Sequence, residues 1–263
     1  MKPDVNFFVI GAARSGTTSL YRTLETNESV FVPHMKEPRF FNLNRAKGWA
    51  WYASHFADKT DGQIAGDFSP SYSHSASIEN TIVAERIARN YPKAKIIYLV
   101  RNPIDCAISN WRMIAEIKEQ QLTFSEALDD PAWATAVLHR VMFYRQISIY
   151  RKFFKDDQIL VVTLESIKKN PRESLVRIYE FLEIEDGKLD FIKRNASHRK
   201  PNRPGIPIID TETRVDFISR VADDSKKMLD YCGLDPSFWE ITTRYKGWKS
   251  RKAGILSRFK IGL

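Results

Sequence analysis

The chain of 263 residues has little cysteine and no long apolar run, and each absence excludes a class of protein. Only Cys106 and Cys232 are present, so neither a disulfide framework nor a CxxC metal site is indicated. No window approaches the roughly 20 apolar residues of a membrane-spanning helix. The first apolar run follows Lys2 and Asp4 and is too short and too polar-flanked for a signal peptide. We therefore expect a soluble, cytoplasmic protein.

Negative charge is also in short supply. The sequence has 41 lysines and arginines against 32 aspartates and glutamates, which gives a formal net charge of +9 and a pI of about 9.4. Such a balance favours anionic partners, among them phosphorylated cofactors, acidic glycans and lipid surfaces. A solvated basic surface explains the same charge equally well. Nothing in the sequence resembles a recognised reader of nucleic-acid bases, so no nucleic-acid partner is expected.

Short apolar runs alternate with helical patterns along the chain, which is typical of a mostly parallel sheet covered by helices. The predicted strands are 5–11, 63–68, 94–100 and 158–164. The predicted helices are 17–26, 78–92, 104–117, 136–154 and 171–182. Neither an internal repeat nor a low-complexity linker is present, so a single α/β domain is predicted.

The loop after the first strand is similar to a phosphate-binding loop that lacks one part. Gly11 and Gly16 have the spacing of the ATPase pattern GxxxxGK[ST], but Thr17 stands where that pattern requires lysine. The nearest cation is Arg14. Backbone N–H groups of such a turn, with the N-terminus of the following helix, bind anionic oxygens. The missing lysine argues against triphosphate chemistry, so a different anion is expected.

The pattern [KR]xGTT after an apolar strand resembles the 5′-phosphosulfate loop of sulfotransferases, which use 3′-phosphoadenosine-5′-phosphosulfate (PAPS). The resemblance implies that Arg14 neutralises the charge that grows on the leaving 5′-phosphate, where the family usually has lysine. It also implies the fold of that family, a P-loop-like three-layer α/β/α sandwich with a central parallel sheet. The predicted donor-binding residues of the loop are Arg14, Ser15, Gly16, Thr17, Thr18 and Ser19.

A second motif follows the strand at 94–100. Residues Arg101 to Ser109 resemble the 3′-phosphate motif of the same family, RxPxDxxxS, and the resemblance implies that Arg101 and Ser109 bind the extra phosphate of PAPS. An arginine makes forked hydrogen bonds to phosphate, and a serine adds a hydroxyl donor. The alternative is that Arg101 pairs with Asp105 while Ser109 faces solvent.

A third basic segment, at 197–205, is loosely similar to the late basic segment that sulfotransferases place over the donor. Its cations Arg199, Lys200 and Arg203 are further candidates for donor binding. An ordinary basic surface loop explains the same residues.

The segment 32–42 resembles the KExxFF segment of carbohydrate-type sulfotransferases, in which the glutamate is the general base. Glu37 matches that position, and the alternatives are a surface glutamate in a salt bridge, or His34 as the base. Lys36 and Arg39 would hold the Glu37 carboxylate ionised, while burial beside the following phenylalanines would raise its basicity.

The segment 65–73 resembles the [ED]xSPxY segment that the family has near the acceptor. Asp67 and Ser69 are expected either to bind an acceptor hydroxyl or to position their loop. Glycosaminoglycan enzymes often have lysine where Phe68 stands and histidine where Arg39 stands, which weakens the case for a heparan-like acceptor. Nearby rings could form a platform for a sugar or belong to the core: Trp49, Trp51, Tyr52 and Tyr72.

Together these motifs predict a sulfotransferase domain over 1–243 that moves a sulfuryl group from PAPS to a hydroxyl or amine, leaving PAP. The expected acceptor is a carbohydrate, a glycolipid or another small molecule. No metal is expected, because fixed cations can replace magnesium when the transferred group carries less charge. A nucleotide or small-molecule kinase and an inactive donor-binding protein are the alternatives.

The tail at 244–263 carries basic residues and no acidic residue, interleaved with apolar ones. Weak, salt-sensitive contact with an anionic membrane is one expectation for it, and docking on its own domain is the other.

Overall fold

The computed structural model describes residues 1–74, 78–118, 122–185, 187, 189, 191–192, 209–239 and 241. The predicted donor contacts Arg199, Lys200 and Arg203 lie outside the described residues, as does the tail at 244–263. The boundary at residue 243 therefore stays a prediction.

Five parallel strands form one sheet in the order β2-β3-β1-β4-β5. They are β1 (Phe7–Gly11), β2 (Val30–Phe31), β3 (Ile64–Phe68), β4 (Lys95–Val100) and β5 (Ile159–Thr163). β1 lies in the centre, where Phe8 pairs with Asp67 of β3 on one side and with Ile96 of β4 on the other. After β1 the chain forms β2 and β3 on one side of that strand, and it then forms β4 and β5 on the other side. The strand order therefore reverses between β1 and β4. In open parallel sheets, ligands bind at the carboxyl ends of the strands at such a reversal.

Ten helices accompany the sheet within the described residues. They are α1 (Thr17–Leu24), α2 (Gly48–Ser54), α3 (Ile78–Asn90), α4 (Pro103–Lys118), α5 (Phe124–Asp129), α6 (Pro131–Val137), α7 (Phe143–Tyr150), α8 (Leu164–Lys169), α9 (Pro171–Leu182) and α10 (Thr211–Tyr231). Among these helices, none has the length and apolar character needed to cross a bilayer.

Alternate residues of the central strand enter two separate cores. Phe7 and Val9 pack with α1, α8 and α9, whereas Phe8 and Ile10 pack with α2–α7 and α10. All four side chains are fully buried, as is expected for a parallel sheet covered on both faces. The predicted three-layer α/β/α sandwich is therefore confirmed.

The helical stretch predicted at 136–154 is wrong as a single helix. The segment contains the end of α6, a 3-10 turn at His139–Val141, and α7. The carboxylate of Asp224 on α10 accepts hydrogen bonds from the backbone N–H groups of Tyr144 and Arg145, at 3.0 and 2.8 Å. These contacts satisfy the free amides of a helix N-terminus, so the helical pattern is interrupted by a partner 79 positions away.

The longest helix, α10, was not predicted. Its buried residues Phe217, Val221 and Met228 recur at intervals of four and seven positions, which is the spacing of one helix face. That spacing could have identified α10 from the sequence.

Candidate active site

The loop between β1 and α1 is shaped by two glycines. A side chain on Gly11 would overlap the side chain of Ser73 and would come within 3.0 Å of the Tyr98 ring. Gly16 begins α1 with φ of 97°, and a Cβ there would lie 2.9 Å from Leu164. Both positions therefore require glycine. Between them Arg14 has φ of 69°, a left-handed conformation that is uncommon outside glycine.

Arg14 joins the two predicted phosphate motifs. Its Nε donates a hydrogen bond of 2.9 Å to Oγ of Ser109 on α4, and its carbonyl oxygen accepts one of 3.4 Å from Arg101 at the end of β4. The motif after β1 and the motif after β4 therefore form one site. This site lies at the reversal of strand order, where a ligand is expected.

Arg101 also makes the ion pair with Asp105 that was the alternative to phosphate binding. Its guanidinium lies 3.2 Å from the carboxylate of Asp105, so the predicted ion pair is present. Ser109, however, bonds to Arg14 and does not merely face solvent. Within the described chain, the buried Nε of Arg101 has no hydrogen-bond partner. A buried cationic donor without a partner fits an anionic ligand.

A cleft of about 800 Å³ opens above these residues. Seven of the predicted donor residues line it: Arg14, Gly16, Thr17, Thr18 and Ser19 of the first motif, and Arg101 and Ser109 of the second. Ser15 is fully buried and lies outside that lining. The sequence reasoning missed the wall formed by Leu164, Ile167, Lys168, Pro171 and Phe191. Lys168 could have been found, because it follows β5 at the same edge of the sheet.

Cys106 supports the loop from below. Its thiol donates to the carbonyl oxygen of Ala13 at 3.4 Å and lies 3.9 Å from the hydroxyl of Ser15. Burial raises the pKa of the Cys106 thiol to about 11, against the smaller lowering effects of Arg101, Ser15, Arg14 and Arg140. The thiol therefore stays protonated near neutral pH and acts as a packing and hydrogen-bonding group.

Asn102, beside Arg101, is held by two distant elements. Its backbone N–H donates to Glu165 at 3.1 Å, and its side-chain amide donates to the carbonyl oxygen of Trp239 at 2.7 Å. The indole of Trp239 is buried and donates to the same Glu165 carboxylate at 3.2 Å. The end of β4 is thus fixed by the start of α8 and by a residue near the C-terminal limit of the described chain.

Glu37 is held between two cations, as predicted. Its side chain is 30% exposed and accepts hydrogen bonds from Lys36 at 3.1 Å and from Arg39 at 2.5 Å. Burial raises the pKa of Glu37, but the hydrogen bonds and charges of Arg39 and Lys36 outweigh burial and leave that pKa below its usual value. The expected gain in basicity is therefore not found, whereas the expected ionised carboxylate is. The competing base His34 is exposed to solvent.

Asp67 lies under the Glu37 segment and is fully buried. Its carboxylate accepts hydrogen bonds from Ser69 at 2.6 Å, from Tyr52 at 2.8 Å and from Tyr72 at 2.9 Å. Burial raises the pKa of Asp67 to about 6, although these hydrogen bonds lower it. Because Asp67 and Ser69 are both inaccessible, positioning of the loop is the role that fits them, and contact with an acceptor hydroxyl is not.

The nearby aromatic rings belong mainly to the core. Tyr52 and Tyr72 are fully buried, and Tyr52 stacks on Phe40 with a centroid distance of 4.3 Å. Trp49 packs on the same Phe40 at 4.8 Å, and Trp51 lies under the ammonium group of Lys47. The core alternative is therefore confirmed for Tyr52 and Tyr72.

Two further residues missed by sequence reasoning, His74 and Arg140, lie within electrostatic reach of Arg39, the partner of Glu37. Burial, followed by the charges of Arg140 and Arg39, lowers the pKa of His74 to about 3, so His74 is neutral. Burial also lowers the pKa of Arg140, whose charge acts on both Cys106 and His74. The charge of Arg140 thus acts on Cys106, beneath the loop between β1 and α1, and on Arg39, the partner of Glu37. It comes from the turn between α6 and α7, which the sequence pattern did not reveal.

The fold and the cleft together define a class of protein: a P-loop-like α/β/α domain with a cleft, lined by arginine and hydroxyl side chains, at the end of its central strand. A family model described as the sulfotransferase domain matches residues 4–203. The chain therefore belongs to the sulfotransferase family.

Individual relatives agree with this assignment. Human heparan sulfate glucosamine 3-O-sulfotransferase 6 is 28% identical over 182 residues, which is 66% of this chain and 51% of that protein. The membrane-associated sulfotransferase kil1 of Dictyostelium discoideum is 34% identical over 109 residues, 40% of this chain and 22% of that protein. The chain thus spans about half or less of the length of these curated relatives.

The solved structure of a sulfotransferase from Alicyclobacillus acidocaldarius has the same fold. It superimposes with a TM-score of 0.71 at 22% identity and covers 91% of this chain and 99% of its own. The sulfotransferase domain of the curacin biosynthetic pathway superimposes with a TM-score of 0.52 at 17% identity, over 72% of this chain and 77% of its own. The predicted P-loop-like fold is confirmed by this likeness.

Proposed function

We propose that the chain transfers the sulfuryl group of PAPS to a hydroxyl or amine of a carbohydrate acceptor. The contact between Arg14 and Ser109 carries the proposal, because it joins a loop suited to a 5′-phosphosulfate with a motif suited to a 3′-phosphate in one cleft. A donor with a 3′-phosphate and a 5′-phosphosulfate on one ribose needs two anion sites at a fixed separation. AMP and ATP have no 3′-phosphate and need only the site for the 5′ group.

The residues of the cleft fit such a donor. The start of α1 offers backbone N–H groups at Gly16, Thr17 and Thr18, and a helix N-terminus favours anionic oxygens. Arg101 offers the buried Nε already described for the 3′-phosphate. Thr17 is buried and lines the cleft with a hydroxyl in place of the lysine of an ATPase loop. A kinase would need that lysine, and this chain does not have it, which argues against the kinase alternative.

In the proposed reaction, Glu37 accepts the proton from the acceptor hydroxyl while the acceptor oxygen attacks sulfur. A new oxygen–sulfur bond forms, and the bond between sulfur and the bridging phosphate oxygen breaks. The electron pair of that bond goes to the 5′-phosphate, whose charge Arg14 and the loop amides stabilise. The products are PAP, the sulfated acceptor and one proton on Glu37. The lowered pKa of Glu37 keeps it ionised before the reaction.

A carbohydrate acceptor is supported by the similarity to heparan sulfate sulfotransferases, which is spread over about two thirds of the chain. This chain departs at two positions from the pattern of the glycosaminoglycan enzymes. Those enzymes often have lysine at the position of Phe68, which is buried here, and histidine at the position of Arg39, which pairs with Glu37 here. We therefore propose a carbohydrate or glycolipid hydroxyl and not a heparan-like chain.

A thermal-shift comparison of PAP, AMP and ATP without magnesium tests the donor assignment. PAP should raise the melting temperature strongly, while AMP and ATP should have little effect, because only PAP has the 3′-phosphate. Equal stabilisation by AMP, or turnover of magnesium-ATP, would contradict the proposal. Acceptor classes can then be compared by transfer of label from [³⁵S]PAPS to neutral glycans, glycolipids and sulfated glycans.

A further inference from the structure

The segment that carries Glu37 is attached to a buried anion at two points. Oγ of Ser69 donates to Asp67 at 2.6 Å and accepts the backbone N–H of Arg39 at 3.0 Å. The hydroxyl of Tyr72 donates to Asp67 at 2.9 Å and accepts the backbone N–H of Phe41 at 3.3 Å. Each hydroxyl thus connects the Asp67 carboxylate with one backbone N–H of the segment that follows Glu37.

The direction of these hydrogen bonds depends on an acceptor at position 67. A hydroxyl has one proton and two lone pairs, so a hydroxyl that donates to Asp67 presents its lone pairs to the backbone. The Asp67 carboxylate therefore orients Ser69 and Tyr72 as acceptors for Arg39 and Phe41. Arg39 has a left-handed φ of 50°, a conformation that persists when surrounding contacts fix it.

The position of the Glu37 carboxylate depends on the same backbone segment. Arg39, whose N–H is held by Ser69, donates through its guanidinium to the Glu37 carboxylate at 2.5 and 3.1 Å. Phe41, whose N–H is held by Tyr72, is fully buried and packs edge-on against the Phe8 ring of the central strand at 5.7 Å. Glu37 is consequently fixed relative to the sheet on which the donor loop begins.

We propose that Asp67 is a positioning residue for the reaction, which holds the Glu37 carboxylate at the transfer site through the hydroxyls of Ser69 and Tyr72. This inference rests on the proposed sulfuryl transfer. Asp67 does not touch donor or acceptor, so its effect is expected on the transfer step and not on donor binding.

The chain offers a matched pair of variants for the test. Tyr52 and Tyr72 are both fully buried, and their hydroxyls donate to the same oxygen of Asp67 at 2.8 and 2.9 Å. Of the two, the Tyr72 hydroxyl is the one that accepts a backbone N–H of the Glu37 segment. Tyr52→Phe and Tyr72→Phe each delete one oxygen atom and one hydrogen bond to Asp67, and both keep the ring.

The experiment measures PAP formation from PAPS with water as the acceptor, which needs no identified substrate and releases sulfate and a proton. We expect Tyr72→Phe to lower kcat by about 10-fold or more, since small displacements of a reacting group are costly, and to leave KM for PAPS within about twofold. Tyr52→Phe should retain kcat within about twofold. Amide hydrogen exchange at Phe41 should accelerate in Tyr72→Phe but not in Tyr52→Phe.

Ser69→Ala tests the second hydroxyl and should accelerate exchange at Arg39 with a similar loss of kcat. Equal kcat in Tyr72→Phe and Tyr52→Phe, with both variants folded by circular dichroism, would overturn the positioning role while leaving the proposed function intact. Failure of the wild type to bind PAP in calorimetry would overturn the proposed function itself. The two failures are therefore distinguishable.

Discussion

Nε of Arg14 donates a 2.9 Å hydrogen bond to Oγ of Ser109, although 95 positions separate the two residues. The contact exists because β1 and β4 are neighbours in the sheet and both end at its carboxyl edge. Each residue belongs to a motif that binds a phosphate group in the proposed function. The bond sets the separation of the two anion sites, and it gives the following expectations for donor binding.

Replacement of Arg101 by alanine should remove most of the preference for PAP over AMP. A forked, charge-assisted contact between arginine and phosphate contributes on the order of 2–3 kcal/mol. PAP would lose this contact in the variant, whereas AMP has no 3′-phosphate and never makes it. Calorimetric titration of both nucleotides measures the difference. Asp105→Ala is the matched control, because it removes the ion pair but keeps the cation, and it should preserve the preference. A wild type that binds PAP and AMP equally would refute the 3′-phosphate assignment.

Replacement of Arg14 distinguishes its charge from its hydrogen bond to Ser109. Arg14→Ala should weaken both PAP binding and transfer, because the cation near the leaving phosphate is lost. Arg14→Lys should retain most of the transfer rate, since lysine supplies the charge, and it should lose part of the affinity, since lysine lacks the guanidinium fork. Single-turnover rates with PAPS and calorimetry with PAP separate the two effects. Equal rates in the two variants would show that the charge is dispensable.

Glu37→Gln should leave PAP affinity nearly intact while transfer falls by roughly 10²–10⁴-fold, the usual contribution of a positioned base. The pKa of Glu37 is lowered from 4.5, so its carboxylate remains ionised until the pH falls below that value. The wild-type rate should therefore show no Glu37-dependent loss between about pH 6 and pH 8. Full turnover in Glu37→Gln would direct the search for the base to His34.

Asp224→Asn should change the pH dependence of stability in a defined direction. Burial raises the pKa of Asp224 from 3.8 to about 6, so the folded protein binds this proton more tightly than the unfolded chain does. The contribution of Asp224 to the free energy of unfolding should therefore fall by roughly 2 kcal/mol as the pH rises from about 4 to about 7. Urea denaturation of wild type and variant at both pH values measures it.

Asp156→Asn is the control of opposite sign for that measurement. The hydrogen bonds from Arg151 lower the pKa of Asp156, so its contribution to stability is present at neutral pH and is lost as the pH falls. The wild-type advantage over Asp156→Asn should thus grow with rising pH, whereas the advantage over Asp224→Asn should shrink. The same sign in both comparisons would contradict the assignment for Asp224.

Much of the fold was predictable because the signals are local. The strands β1, β3, β4 and β5 are short apolar runs, and a parallel sheet buries both faces of each strand. The helices predicted at 104–117 and 171–182 are found as α4 and α9, each of which begins with a proline, the residue favoured in a first helical turn. The break between α6 and α7 was not predictable in this way, because it depends on Asp224 of α10, which comes into contact only in the folded chain.

The site shows the same division. The glycines and the hydroxyl run of the donor loop have a local signature, and so has the motif from Arg101 to Ser109. Arg140 and His74 have none, because they come from two separate turns that approach each other only in the folded chain. The pKa of Glu37 was also out of reach, since burial and hydrogen bonds act on it in opposite directions and only geometry decides which is larger.

The contact between Arg14 and Ser109 also has a consequence for the order of events during synthesis. When the ribosome has released the chain as far as β3, the entire donor loop has emerged, but the partner strand β4 and Ser109 have not. Domains generally fold as units once enough chain has emerged. The nascent chain therefore has the residues of this loop well before it has Ser109, which orients Arg14, and before it has the cleft wall at α8. If the proposed function is right, nucleotide binding should begin only after both α4 and α8 have emerged.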